Sequence, residues 1–367
     1  MNSTILILAF LLLLGVGAYF FFFIKRIVSL IYKGNKKALP FIIAGAVFSV
    51  IILSAVFISN IITAFLVHLL LIVIICDVIY FIVTRFSKKR LIKLIYLSGA
   101  IPIILSLSLM VFGYFNMLNV VETNYTVFTQ KDIRSEGYKV ALIADVHYGI
   151  SIDYGELVEK CDEISQKNAD LVVLCGDIVD NNADKKALYE VFGALGSIKS
   201  KYGVFYVYGN HDRSMRMLEN PYSDDELKTA IESSNIKILC DETYTVNGDL
   251  TLIGREDRSK SGRKPIDSLI SGSDKNDFLL TLDHQPSEYK ENVKAGTDLI
   301  LSGHTHGGQF FMVNLLQEII PFNDGVYGHY NLDGGTQAII TSGFAGWGFP
   351  IKTVYSSEYV IIDIKKG

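Results

Sequence analysis

Five of the seven histidines in this 367-residue chain sit just past short apolar runs, each beside Asp, Asn or Gly. One run ends in Asp145-Val146-His147. Leu171–Cys175 leads into Gly176-Asp177-Ile178-Val179-Asp180, and Val204–Tyr208 into Gly209-Asn210-His211-Asp212. Two later runs end in Asp283-His284 and in Gly303-His304-Thr305-His306-Gly307-Gly308, while His68 and His329 fall elsewhere. A lone histidine is explained by core packing. Five of them at matching positions among carboxylates point to a metal site.

Imidazole with carboxylate, and without thiolate, suits borderline to hard ions: zinc, iron or manganese. The four cysteines, Cys76, Cys161, Cys175 and Cys240, have neither disulfide-framework nor zinc-knuckle spacing and read as small buried apolar residues. Two ions need more donors than one, and a shared carboxylate would bridge them. The neighbouring glycines allow tight turns and a close approach of backbone to metal or phosphate.

The runs that must position these groups are strands. Lys139–Ala144, Leu171–Cys175, Val204–Tyr208, Leu250–Ile253, Phe278–Leu282, Leu299–Leu301, Gln337–Thr341 and Tyr359–Ile364 are short and apolar, many of them rich in β-branched residues. Between them, Glu156–Gln166, Lys185–Ile198 and Asp224–Ser233 carry helical patterns, the last with Ser223-Asp224-Asp225-Glu226 as a start signal. Val121–Gly137 reads as a linker and a first strand. The alternation predicts an α/β sheet packed on both faces, with a ligand site at the carboxyl ends of the strands.

Taken in order, D-x-H, G-D-x-x-D, G-N-H-D, a lone His and G-H-T-H resemble the calcineurin-like metallophosphoesterase superfamily, from about Lys139 to the C-terminus. The G-H-T-H-G-G-Q ending and the Ser342–Pro350 segment look like its bacterial membrane-associated branch. The resemblance implies a four-layer α/β/β/α sandwich and a binuclear centre of two divalent ions (Mn, Zn or Fe). Asp145, His147 and His306 would hold the first ion and Asn210, His284 and His304 the second, with Asp177 bridging. His211 would be the catalytic histidine near the leaving group, and Asp180 would orient it. Asp212 reads as a helper of these groups or as a helix cap, with the cap favoured. The implied reaction is attack of a metal-bridging hydroxide on phosphorus. Protein Ser/Thr phosphatases of this superfamily follow the second Asp with Arg-Gly, whereas here Asn181-Asn182 follows, which argues against a phosphoprotein substrate.

Residues 1–120 have a different composition, with ten basic residues and a single acid, Asp77. Four apolar stretches there, about Thr4–Ile24, Ala38–Ile58, Ile61–Thr84 and Leu94–Met117, approach or exceed the roughly 20 residues needed to span a bilayer. Thr4–Ile24 reads as a retained span because its basic residues follow it. The expected organisation is therefore a four-helix transmembrane domain over 1–120 and a phosphoesterase domain over 121–367. All ten basic residues fall in Lys25–Lys37 and Arg85–Lys93, which places those loops in the cytoplasm and the catalytic domain on the extracytoplasmic face. Asp77 and His68, inside one span, read as groups facing the bundle interior.

The remainder holds 24 basic and 37 acidic residues, so no nucleic-acid partner is expected. The basic stretch Arg255–Lys264 reads as a solvated loop, or else as a clamp for an anionic substrate. Met215, Met217, Leu218, Phe344, Trp347 and Phe349 could pack on strands, rim a pocket or dip into a bilayer, with Trp347 favoured as a pocket or interface residue. The expected function is hydrolysis of a lipid-linked or otherwise membrane-associated phosphate ester. The alternatives are an extracytoplasmic nucleotide or small-molecule phosphoesterase and an inactive metal-binding membrane scaffold.

Overall fold

The computed structural model describes residues 3–32, 39–56, 61–87, 89–180, 183–213, 221–320 and 322–367. Lys33, Lys36, Lys37 and Lys88, used in the orientation argument, lie outside these, as do Asn181-Asn182, Met215, Met217 and Leu218. The chain forms two compact units, Met1–Phe112 and Gly113–Gly367.

The first unit contains α1 (Ser3–Ile31), α2 (Leu39–Val56), α3 (Ile61–Phe86) and α4 (Arg90–Ser98). It also contains most of α5 (Ala100–Leu118), whose last residues, Gly113–Leu118, belong to the second unit. Among the described residues, three helices are long and apolar enough to cross a membrane, in Leu14–Ile31, Ile61–Phe86 and Ala100–Leu118; Leu39–Phe48 is a shorter apolar stretch. The span expected from Leu94 starts instead at Ala100. Gly99, with φ of 65°, caps α4 in the left-handed region and donates its N–H to Tyr96 O, so the helix breaks there. Asp77 accepts hydrogen bonds from Arg26 Nη1 at 2.9 Å and from the Tyr19 hydroxyl. His68 Nδ1 lies 2.7 Å from Ala64 O. Both side chains therefore have partners within their own helical unit, in keeping with a structural role.

The second unit is built on two six-stranded mixed sheets. Its strands are β1 (Val120–Thr129), β2 (Tyr138–Ile143), β3 (Leu171–Cys175), β4 (Val204–Val207), β5 (Ile236–Ile238) and β6 (Glu242–Val246). They continue as β7 (Leu250–Gly254), β8 (Phe278–Leu282), β9 (Leu299–Ser302), β10 (Gly328–Asn331), β11 (Gln337–Ile340) and β12 (Ser357–Lys366). The first sheet has the order β1-β12-β2-β3-β4-β5 and the second β10-β11-β9-β8-β7-β6. β2 to β5 run parallel, as do β7, β8, β9 and β11, so their carboxyl ends emerge together. The helices are α6 (Tyr154–Ser165), α7 (Lys185–Gly196), α8 (Asp224–Ser233), α9 (Ile266–Ile270), α10 (Tyr289–Ala295) and α11 (Phe311–Ile319).

Strand alternation sorts the core. Val140, Leu142, Leu171 and Val173 of the first sheet share one buried cluster with Leu252, Leu280, Leu282 and Leu301 of the second. Their neighbours Ala141, Ile143, Val172 and Leu174 belong to another, with Leu157 and Ile164 of α6, Leu188 and Phe192 of α7, and Leu227 of α8. Ile253 and Leu279 pack with Ile266 and Ile270 of α9, and Ile300 and Ile340 with Tyr289. The strands are thus apolar on both faces because each face is covered. Capping boxes at Asp153/Glu156 and Ser223/Glu226 fix the starts of α6 and α8.

Leu280 is fully buried in the cluster shared by the two sheets. Leu280→Ala is expected to destabilise the second unit by about 2–5 kcal/mol, read as a lowered denaturation midpoint of the purified full chain. Tyr189→Ala, at a half-exposed position on α7, should change it by less than about 0.5 kcal/mol.

Candidate metal centre

The parallel strands deliver their following residues to one place. β2 leads to Asp145 and His147, β3 to Asp177 and Asp180, and β4 to Asn210 and His211. From the second sheet, β8 leads to His284 and β9 to His304 and His306. Asp145, His147, Asp177, His304 and His306 all have φ between 39° and 71°. Non-glycine residues seldom occupy that left-handed region, and strain concentrated in this way is a mark of functional sites. The bent strand ends turn these side chains toward one another.

Two donor sets result: Asp145, His147 and His306, and Asp177, His284 and His304. His147 Nε2 lies 3.3 Å from His306 Nε2, and His306 Nε2 3.6 Å from Asp145 Oδ1. In the other set, His284 Nε2 lies 3.0 Å from Asp177 Oδ2. Asp177 Oδ2 is also 3.8 Å from His147 Nε2, so this carboxylate faces both sets. His284 Nδ1 is 2.7 Å from Cys175 O, which fixes Nδ1 as the protonated nitrogen and leaves Nε2 as the donor. His306 Nδ1 has Ala345 O as its partner, at 3.3 Å.

The donor set fits divalent ions. Asn210 Oδ1 is buried and makes no hydrogen bond among the described residues. An unmet buried polar atom costs about 1–3 kcal/mol, which coordination would remove. Burial pushes the His147 and His304 imidazoles down to about 4 and His306 well below its usual range. These rings are therefore neutral, the form that binds metal. Burial alone would raise Asp177, but His284 holds it well below the usual carboxylate range.

Beside the donors, His211 Nδ1 stands 3.5 Å from Asp180 Oδ1, and the His211 backbone N–H donates to Asp177 Oδ1 at 2.7 Å. Trp347 borders the same spot, with its ring 4.8 Å from that of His211 and 6.1 Å from that of His147. Phe349 is turned aside onto Phe310, and Phe344 is buried in the core.

Asp212 is not a helix cap. Its carboxylate accepts from the backbone N–H of Asp177, Ile178, Val179 and Gly209, at 2.7 to 3.2 Å. It thereby ties the loop after β3 to the loop after β4. The only sequence signal for this was a carboxylate next to the site with no amphipathic helix starting at it. Lys352 was missed as well. Fully buried, it donates to Gly343 O at 3.1 Å and to Ser342 O at 2.5 Å, while Glu358 accepts from Ser342 N at 2.8 Å. Burial pushes the Lys352 ammonium down to about 7, against the pull of Asp145 and Glu358. This pair holds the segment that packs against Asp145. The basic stretch is not simply a solvated loop either. Arg263 pairs with Asp283, next to His284, and buried Arg255 pairs with Glu288 at 3.0 Å. Both act as internal braces.

A β-carbon on Gly209 would meet Asp177 Oδ1 at 2.1 Å. Gly209→Ala must therefore displace Asp177 without removing any donor. Tightly bound manganese in the purified chain, measured by elemental analysis after dialysis, is expected to fall from two ions toward one or none. Gly193→Ala, into open space on α7, should leave it unchanged.

Comparison with known proteins agrees with this geometry. The calcineurin-like phosphoesterase family model matches residues 138–308. An uncharacterized metallophosphoesterase of Helicobacter pylori is 29% identical over 231 residues, which is 62% of this chain and 59% of that protein. A transmembrane protein with metallophosphoesterase domain from Danio rerio is 26% identical over 242 residues, 63% of this chain and 54% of its own length. The chain thus spans between half and two thirds of these relatives. Among solved structures, a dimetal phosphatase from Danio rerio aligns with a TM-score of 0.38 and 16% identity, over 57% of this chain and 88% of that one. The family match runs from β2, which leads to the first donors, through the loop that carries the last two histidines, so residues 138–308 of this chain form a calcineurin-like phosphoesterase domain.

Proposed function

We propose that this chain is a membrane-anchored, two-metal phosphoesterase that hydrolyses lipid-linked or otherwise membrane-associated phosphate esters. The observation that carries the reading is Asp177, which faces His284 at 3.0 Å on one side and His147 at 3.8 Å on the other. In this reading Asp145, His147 and His306 hold one ion, Asn210, His284 and His304 hold the second, and Asp177 bridges them. When bound, the ions would supply Lewis acidity toward the phosphoryl oxygens and would acidify water at neutral pH. His211 stands where the leaving group departs and gives it a proton. Asp180 keeps the ring turned for that transfer by accepting from Nδ1. Trp347 offers an apolar wall beside His211, which suits an organic leaving group.

The membrane part of the proposal is supported by the three apolar helices. Four spans, with Leu39–Val56 among them, and an extracytoplasmic catalytic unit follow from the charge pattern of residues 1–120. The four core clusters support the layer order helices, sheet, sheet, helices.

The test uses the full chain in detergent, loaded with manganese, zinc or iron, and assayed on p-nitrophenyl phosphate, its bis-ester and dispersed phospholipids in competition with nucleotides. Metal-dependent turnover that disappears in Asp177→Ala is expected, with lipids outcompeting nucleotides. Preference for nucleotides would overturn the substrate assignment. His211→Ala should cost about 10²–10⁴-fold with an alkyl leaving group. With p-nitrophenolate, which leaves without a proton, the loss should be much smaller. Equal losses on both would remove His211 as the acid.

A further inference from the structure

Helix α11 is built the wrong way round for a soluble protein. A surface helix turns its apolar stripe toward the core, yet no residue of α11 is buried. Phe311, Leu315, Leu316, Ile319, Ile320 and Phe322 are each between 39% and 68% exposed. The half-buried residues that face the protein are Met312, Val313, Asn314 and Gln317. Asn314 Nδ2 donates to Gly307 O at 3.2 Å, and Gly308 packs so closely on Asn314 that a β-carbon would meet its Cα at 2.3 Å. By contrast, α6, α7 and α8 each bury at least three apolar residues.

The helix starts at a defined place. Its first residue, Phe311, donates its N–H to Thr353 Oγ1 at 3.4 Å, and Thr353 N–H donates to Gln309 O at 2.9 Å. The same strip receives the end of α5, the last helix apolar enough to cross a membrane. Lys352 N–H donates to Gly113 O at 2.9 Å, and Asn116 Nδ2 donates to Lys352 O and Tyr355 O at 3.0 and 3.1 Å. One short strip, Lys352–Tyr355, thus joins the end of an apolar helix to the start of an outward-facing apolar face. A segment that leaves a bilayer at its end marks the border between hydrocarbon and water, and α11 begins within hydrogen-bonding reach of the strip that holds this segment.

Resting on the membrane-anchored reading above, we propose that the exposed face of α11 lies in the hydrocarbon border of the bilayer, beside the metal centre. The occupant is the lipid surface, and its chemistry is specified. From Phe310 to Phe322 the chain has no basic residue, and its one charge is Glu318. Interfacial helices that bind anionic lipid carry Lys and Arg on the polar face, so this one inserts through apolar area alone and needs no anionic lipid. Depth follows from that class of helix, about 5–10 Å into the boundary between headgroups and acyl chains. Only four residues separate His306 from Phe311, so the metal centre is held near the headgroups.

The experiment places a tryptophan on that face. The full chain carrying Trp347→Phe and Ile319→Trp is reconstituted into phosphatidylcholine vesicles whose acyl chains are brominated near the headgroup or near the methyl end. A second protein carries Trp347→Phe and Tyr189→Trp, a probe at an exposed position on α7. The expected result is loss of Ile319→Trp fluorescence, strongest with bromines near the headgroup, unaltered by high salt or added anionic lipid, with no loss at the Tyr189 position. An alkaline wash of the same vesicles separates the two readings. A chain retained in the vesicles but unquenched at position 319 overturns this inference and leaves the anchor standing. A chain released by the wash overturns the anchor and the inference with it. Absence of quenching with an emission shift that grows with the number of chains per vesicle would assign the face to a second copy, and likewise overturns the proposal.

Discussion

The Asp177 carboxylate is the constraint around which the catalytic unit is organised. It is almost fully buried, lies within 4 Å of two histidines from different sheets, and accepts the His211 backbone N–H. A buried carboxylate in such a place is costly unless positive or polar partners surround it. The fold supplies them through geometry. Gly209 admits the carboxylate at a distance no side chain would allow. Asp212 clamps the backbone of Asp177 and Gly209 with the same oxygen. The donors then follow within a few residues of strands whose faces are both covered, so core packing sets where they start.

Under the proposed function, that arrangement lets acidic surroundings coexist with an anionic substrate. Outside residues 1–120 the chain is rich in Asp and Glu, and its buried arginines are consumed by Asp283 and Glu288. Attraction for a phosphoryl group must therefore come from bound cations, which are the largest local charges in sites of this kind. Specificity then falls to what borders the metals, and the bordering groups near His211 are Trp347 and the segment tied down by Lys352 and Glu358.

Much of the site was legible in the sequence because a parallel strand run and its turn are contiguous. An apolar run followed by Asp-Val-His or Gly-Asp names both the element and the residues at its end. Asp212 was not legible, since its four partners are backbone groups of two loops that meet only in the fold. Lys352 and Glu358 escaped for the same reason, being charged residues in an apolar segment with no local pattern. The helix break at Gly99 was hidden by continuous hydropathy, which records apolarity and not backbone conformation. Phe311–Ile319 gave no clear helical reading, because the usual rule assigns apolar residues to the core and this helix leaves them outside.

The account stands on two ions sharing one carboxylate. Electron paramagnetic resonance of the manganese-loaded chain measures this directly. A shared Asp177 predicts a spectrum of two magnetically coupled manganese ions, with hyperfine splitting compressed relative to a single ion, and its reversion to an isolated-ion spectrum in Asp177→Ala. An isolated-ion spectrum from the unmutated, fully loaded chain would contradict the bridged centre and the mechanism built on it.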